Sequence, residues 1–186
     1  MQVFAGHNGP VNCGEFTPDG RFKLKPKLPT SNNFQGKRVV SADQEGFLIL
    51  WDPRSSTPVF KISPDDARFN LDGITSLGVN LSSTLAVVGG AAGGVRVVSL
   101  SKGEIIATLG GHTEGESIEA VAFVDLGGSG SSGPGVAVTG ATDGKACIWD
   151  LSTMRLRASV NHEVKFLFKF LLVIFLHFWS LFIRMQ

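Results

Sequence analysis

Charge is scarce in this chain and evenly split, with 17 Lys plus Arg against 16 Asp plus Glu in 186 residues, so that only 18% are charged. An ordinary domain has about 25%. That balance argues against a nucleic-acid clamp, which needs an excess of cations, and no direct nucleic-acid partner is expected. Cysteine is nearly absent. Cys13 and Cys147 are the only 2, with no C-x-x-C pair and no Cys/His spacing suited to zinc, so neither a disulfide framework nor a metal site is expected and a reducing compartment fits. The start of the chain, Met1-Gln2-Val3-Phe4-Ala5-Gly6-His7, lacks the basic region and apolar run of a secretory signal. A cytoplasmic protein, also compatible with the nucleus, is the resulting expectation, and Asn80 in the sequon Asn80-Leu81-Ser82 should stay unglycosylated. Paired carboxylates, a G-x-S-x-G elbow and a His-rich helix are missing as well. No catalytic residue and no cofactor are therefore assigned.

Glycine is what the chain has in excess, 23 residues in 186 where about 7% is usual, and without a collagen-like period this points to many tight turns. Short β-branched and apolar runs recur between the turn residues. They are Val11 to Phe16, Arg38 to Ser41, Phe47 to Trp51 and Val59 to Ile62; then Ile74 to Val79, Leu85 to Val88, Val95 to Val98 and Ile105 to Leu109; then Ile118 to Val124, Val136 to Thr139, Ala146 to Trp149 and Leu156 to Val160. The spacing predicts an all-β chain in which a four-strand unit occurs three times.

Trp51-Asp52 and Trp149-Asp150 stand 98 residues apart, with Val98-Ser99 midway, and Gly6-His7 and Gly111-His112 open the two outer units. Gly-His at the start and Trp-Asp at the end resembles the WD-repeat family of β-propellers. The units then run over about 3–52, 53–99 and 100–150, with 151–162 as the start of a further blade. Two surpluses stretch them. Residues 21–36 carry Arg21, Lys23, Lys25 and Lys27 with Pro26 and Pro29 and no acid, and removing them restores a short turn, so they read as a basic insertion. Gly127 to Gly135 reads as a Gly/Ser linker; within it, Gly128-Ser129-Gly130-Ser131-Ser132-Gly133 fits G-x-G-x-x-G but is followed by a strand, not by the helix N-terminus a phosphate cradle needs.

The WD-repeat resemblance implies a structural hydrogen-bond tetrad at His112, Thr139, Asp143 and Trp149. The donor arithmetic closes: indole donates, hydroxyl accepts and donates, imidazole does one of each, carboxylate accepts. A hydroxyl held by a buried Trp is a poor nucleophile, so these residues are read as structural. In the first unit the matching set is His7, Ser41, Trp51 and Glu45, where Glu in place of the family's Asp should loosen the network. The second unit has Ala92, Val88 and Val98 at these places and is expected to rely on apolar packing alone.

A propeller gathers the loops from fourth strand to first and from second to third on one face. By that sorting Asp43, Glu45, Asp65, Asp66, Asp72, Glu114, Glu116 and Asp143 face Arg68 alone, while the opposite face is positive. An acidic face steers basic partners, and Asp65, Asp66, Asp72, Glu114 and Glu116 are the candidate partner-binding residues.

Phe4-Ala5-Gly6-His7, Cys13-Gly14-Glu15-Phe16-Thr17-Pro18-Asp19-Gly20 and Leu50-Trp51-Asp52-Pro53-Arg54 further resemble the angio-associated migratory cell protein family. That resemblance, over residues 2 to about 162, implies a single large propeller acting as a non-catalytic scaffold or ribosome-assembly chaperone, with a basic protein of the large ribosomal subunit as partner. A generic adaptor in another complex and a tail-anchored membrane adaptor are the alternatives. Residues 163–186 are foreign to the pattern; the apolar run Phe166 to Ile183 is short for a membrane span and is read either as an anchor or as translated non-coding sequence. On the second reading the chain is a partial, aggregation-prone product.

Overall fold

The computed structural model describes residues 3–18, 38–55, 57–69, 71–124 and 135–161. The predicted insertion at 21–36, most of the Gly/Ser linker and the tail at 163–186 lie outside them. Among the described residues no helix is long and apolar enough to cross a membrane. Every one of the predicted runs is a strand: β1 Val11–Phe16, β2 Val39–Asp43, β3 Leu48–Asp52, β4 Thr57–Ile62, β5 Ile74–Val79, β6 Leu85–Gly90, β7 Val95–Ser99, β8 Glu104–Leu109, β9 Ile118–Val124, β10 Val136–Ala141, β11 Lys145–Asp150 and β12 Arg155–Asn161.

The strands form three antiparallel sheets of four, ordered β1-β2-β3-β4, β5-β6-β7-β8 and β9-β10-β11-β12. Residues 155–161 thus complete the third sheet and do not begin a further blade. The repeat written in the sequence closes on Trp-Asp at a sheet's third strand, so motif units and sheets are offset by one strand. At the mouth of the 21–36 segment Thr17 donates its amide to the carbonyl of Arg38 at 3.0 Å, which continues the β1–β2 pairing up to that segment.

Neighbouring sheets meet through their first strands, β1 against β5 and β5 against β9. Between the first and second sheets lie Val40, Leu48, Leu50, Phe69, Leu71, Val88 and Val98; between the second and third lie Val87, Val97, Leu109, Ile118, Cys147 and Trp149. The middle sheet is covered on both faces. That is why β6 reads as a continuous apolar run without alternation and β7 buries Val95, Val97 and Val98 around the half-buried Arg96, each fully buried Val contributing about 1.5–3 kcal/mol.

Candidate functional site

In the third sheet the indole of Trp149 donates to Thr139 Oγ1 at 2.7 Å, and that hydroxyl lies 2.7 Å from His112 Nε2. Nδ1 of the same ring is 3.2 Å from Asp143 Oδ2, and the carboxylate also accepts the amides of Thr113 and Lys145, each at 2.9 Å. Only one tautomer satisfies every member: the hydroxyl donates to Nε2 and Nδ1–H donates to the carboxylate. The chain of bonds joins the β8–β9 connection, which carries His112, to the β10–β11 hairpin. No atom in it is left over for chemistry.

The first sheet builds the same chain from Trp51, Ser41 and His7, with 2.7 Å from indole to hydroxyl and 2.6 Å from hydroxyl to Nε2. Its carboxylate is not Glu45. Asp43, fully buried at the end of β2, sits 2.7 Å from His7 Nδ1 and accepts the amide of Phe47 at 2.8 Å, while Glu45 is exposed in the turn with its stem against Gly9. The expected loosening is therefore absent; the imidazole–carboxylate distance is shorter here than in the third sheet. The run Asp43-Gln44-Glu45-Gly46 offered two carboxylates, and the signal for the right one was its place on a strand with no apolar alternative.

In the second sheet Val88 and Val98 are fully buried where Thr139 and Trp149 stand in the third. Phe69 and Leu71 from the β4–β5 connection join the same core, a contribution that motif matching missed. Three net hydrogen bonds at about 0.5–1.5 kcal/mol each are matched by burying two or three such side chains at about 1.5–3 kcal/mol. Apolar packing is not alone there, however. Asn80 ties the β5–β6 turn by accepting the amides of Thr84 at 2.9 Å and Leu85 at 2.8 Å and donating to the hydroxyls of Ser82 and Thr84. The sequon asparagine is buried and its amide is fully engaged.

Burial, working against the nearby Asp143 carboxylate, holds the His112 imidazole below its ordinary value. Burial also opposes ionisation of Asp143, but the Thr113 and Lys145 amides and His112 outweigh it and keep that carboxyl below its ordinary range. Cys147, under Trp149, is pushed by burial to about 11 and stays a thiol. Because the unfolded chain takes up a proton on His112 near pH 6.5 and the folded chain does so only at lower pH, stability should fall as pH drops below about 6.5. Protonation of Asp143 adds a second loss below about pH 4. Thermal unfolding followed from pH 7 to 5 should show this decline, and His112→Gln should flatten it; an unchanged slope in that variant would exclude His112 as its source.

The loops predicted to share a face do so through backbone bonds. Gln44 donates to Pro10, Ala91 to Gly73, Gly115 to Ala92 and Thr142 to Ser117, a continuous seam across the three sheets. Several of its acids are already engaged within the chain. Asp43 and Asp143 are spent inside the two networks, Asp66 is held by Arg68 at 3.3 Å, and Glu116 accepts from the Thr142 hydroxyl. Lys61 and Lys145 stand at the same rim, the first on the carbonyl of Gly6, the second 3.7 Å from Asp143. Glu45, Asp65, Asp72 and Glu114 remain exposed, with no cation paired to any of them among the described residues.

Three four-stranded sheets, two of them locked by a Trp–hydroxyl–His–carboxylate chain, define a set of β-propeller blades whose recognisable polar residues serve one another. The chain belongs to the WD-repeat family: the model of the WD domain, G-beta repeat, matches residues 1–52 and 103–150, more than half of its length. The stretch between the two matches is the one whose sheet lacks the tetrad. An uncharacterized WD repeat-containing protein of Schizosaccharomyces pombe is 31% identical over 169 residues, covering 88% of this chain and 37% of its own length. The human angio-associated migratory cell protein is 25% identical over 175 residues, covering 87% of this chain and 35% of its own. The chain thus spans little more than a third of these relatives. Among solved structures, U3-55K superposes with a TM-score of 0.66 at 13% identity over 86% of this chain and 42% of that one, and the WD40 repeats of RRP9 with 0.65 at 14% identity over 86% and 41%. At such identities the likeness shows the fold.

Proposed function

We propose that this chain is a non-catalytic interaction scaffold whose seam of loops receives a basic polypeptide, in the manner of a chaperone for a ribosomal protein during ribosome assembly. WD-repeat domains generally bind proteins and are typically non-catalytic. The observation that carries the finer reading is the exposed set Glu45, Asp65, Asp72 and Glu114, carboxylates with no cation paired to them among the described residues. The ribosomal partner is what the motif resemblance to the angio-associated migratory cell protein family implies, and the scarcity of cysteine fits a reducing compartment.

Asp65→Lys, Asp72→Lys and Glu114→Lys combined should slow association with a Lys/Arg-rich ribosomal-protein segment by about tenfold at low salt and flatten its salt dependence, since rim charges act chiefly on the encounter rate. Asp66 and Glu116 are left in place because Arg68 and Thr142 already occupy them. Stopped-flow association at several ionic strengths reads the effect, and an unchanged rate in the triple variant would refute the proposal.

A further inference from the structure

A protein kinase whose cleft is lined with cations selects a hydroxyl by the carboxylates that follow it. In this sequence Ser63, Ser101 and Thr113 have a carboxylate three residues on. The structure separates them. Ser63 donates to the Asp65 carboxylate at 2.9 Å and accepts the Asp65 amide at 3.2 Å, with Pro64 between the two. Ser101 lies 3.1 Å from the Ser99 hydroxyl and is followed by Lys102, which a cationic cleft repels. Thr113 is free of both obstacles. Glu114 as well as Glu116 follows it, and its hydroxyl gives its proton to no acceptor among the described residues.

Thr113 also stands where a second protein can reach it. Thr113, Glu114 and Gly115 are exposed in succession on the β8–β9 connection, and a Cβ added to Gly115 would meet nothing within 4 Å. The Glu116 amide closes a turn on the Thr113 carbonyl at 3.2 Å, and the Gly115 amide reaches the Ala92 carbonyl at 3.1 Å. A kinase cleft takes an extended segment, so these bonds must open; both are neutral, and such bonds in a surface loop open readily. The cation that can hold the product is already in place. Lys145 Nζ donates to Thr113 Oγ1 at 3.1 Å, its side chain is 34% exposed, and the Asp143 carboxylate lies 3.7 Å from it.

We infer that Thr113 is the acceptor of an acid-directed Ser/Thr protein kinase, and that its phosphate, held by Lys145, strengthens the acidic seam as a site for a basic polypeptide. In the transfer the Thr113 oxygen bonds to the γ-phosphorus of ATP and the bond from that phosphorus to the bridging oxygen breaks. The nucleoside diphosphate leaves, and the hydroxyl proton passes to the base of the kinase. The product adds a charge of about −1.5 to −2 at pH 7 beside the exposed Glu114. Its bond to the Lys145 ammonium is charge-assisted, where the present bond from Lys145 to the hydroxyl has one charged member. The effect on binding rests on the proposed role of the seam; the acceptor does not.

The full 186-residue chain, incubated with ATP and casein kinase 2 as the acid-directed enzyme, should take up phosphate that peptide mapping by mass spectrometry places on Thr113. Its rate should be within about tenfold of that of a free peptide of residues 108–120, since the tip has little to open. Thr113→Ser should keep the site and Thr113→Val should remove it. Glu116→Gln, which still offers an acceptor to the Thr142 hydroxyl, should slow uptake by about five- to tenfold. Phosphate confined to Ser63 or Ser101, labelling of the peptide but not of the folded chain, or indifference to Glu116→Gln overturns the acceptor. In stopped flow at low salt the phosphorylated chain should associate with the Lys/Arg-rich ribosomal-protein segment about two- to threefold faster than the unmodified chain, and the difference should vanish at high ionic strength. Equal rates would overturn the effect on binding. If neither form associates, the proposed role of the seam fails, while phosphate mapped to Thr113 still establishes the acceptor.

Discussion

Asp43→Ala is expected to cost about 3 kcal/mol of stability, whereas Glu45→Ala should shift it by less than about 0.5 kcal/mol. Asp43 is fully buried and accepts two bonds, from His7 and from the Phe47 amide. Hydrogen bonds to charged groups are each worth about 1.5–3 kcal/mol, and removing the acceptor strands both donors. Glu45 sits in solvent, and its loss exposes nothing. Urea unfolding of the two single variants, followed by Trp fluorescence because Trp51 belongs to the same network, reads the difference directly. Equal costs for the two substitutions would show that the turn carboxylate participates after all.

Gly46→Ala should be as damaging, again by about 3 kcal/mol. Its φ is +87°, in the left-handed region, and an added Cβ would fall inside contact distance of the Leu71 carbonyl and 3.1 Å from Pro64 Cβ. Left-handed backbone alone costs a residue with a side chain about 1–2 kcal/mol. The remainder comes from displacing the β4–β5 connection, which carries Phe69 and Leu71 into the core. Gly110→Ala is the control, since a Cβ there meets nothing within 4 Å, and it should change stability by less than about 0.5 kcal/mol. Similar melting of the two variants would mean that the Gly46 seam yields without strain.

The strands were legible because turn residues bracket every β-branched run, and the repeat was legible because Trp-Asp is rare enough to set a period. The identity of the carboxylate was not. Spacing from Ser41 pointed to Glu45, but which acid reaches His7 depends on where β2 ends, and backbone pairing at Asp43 decides that. Packing in the second sheet was half visible: Val88 and Val98 announced the loss of the tetrad, whereas the use of Phe69 and Leu71 in its place depends on how a loop folds over a neighbouring sheet. Charge sorting by loop counted Asp43 and Asp143 among the surface acids, whereas both carboxylates are turned inward as hydrogen-bond acceptors of the two networks.

The one-strand offset between motif units and sheets has a consequence for how such chains can lengthen. A duplicated segment one motif unit long, such as residues 53–99, which runs from just after Trp51-Asp52 to the matching Val98-Ser99, carries β4 through β7. Inserted after Asp52 or Ser99, it donates its first strand to complete the sheet before it and borrows its last from the segment after it. Every sheet remains four-stranded, and each junction between copies falls inside a hydrogen-bonded ladder. Growth by this route adds blades without creating an incomplete one, and it stitches each new blade covalently to both neighbours.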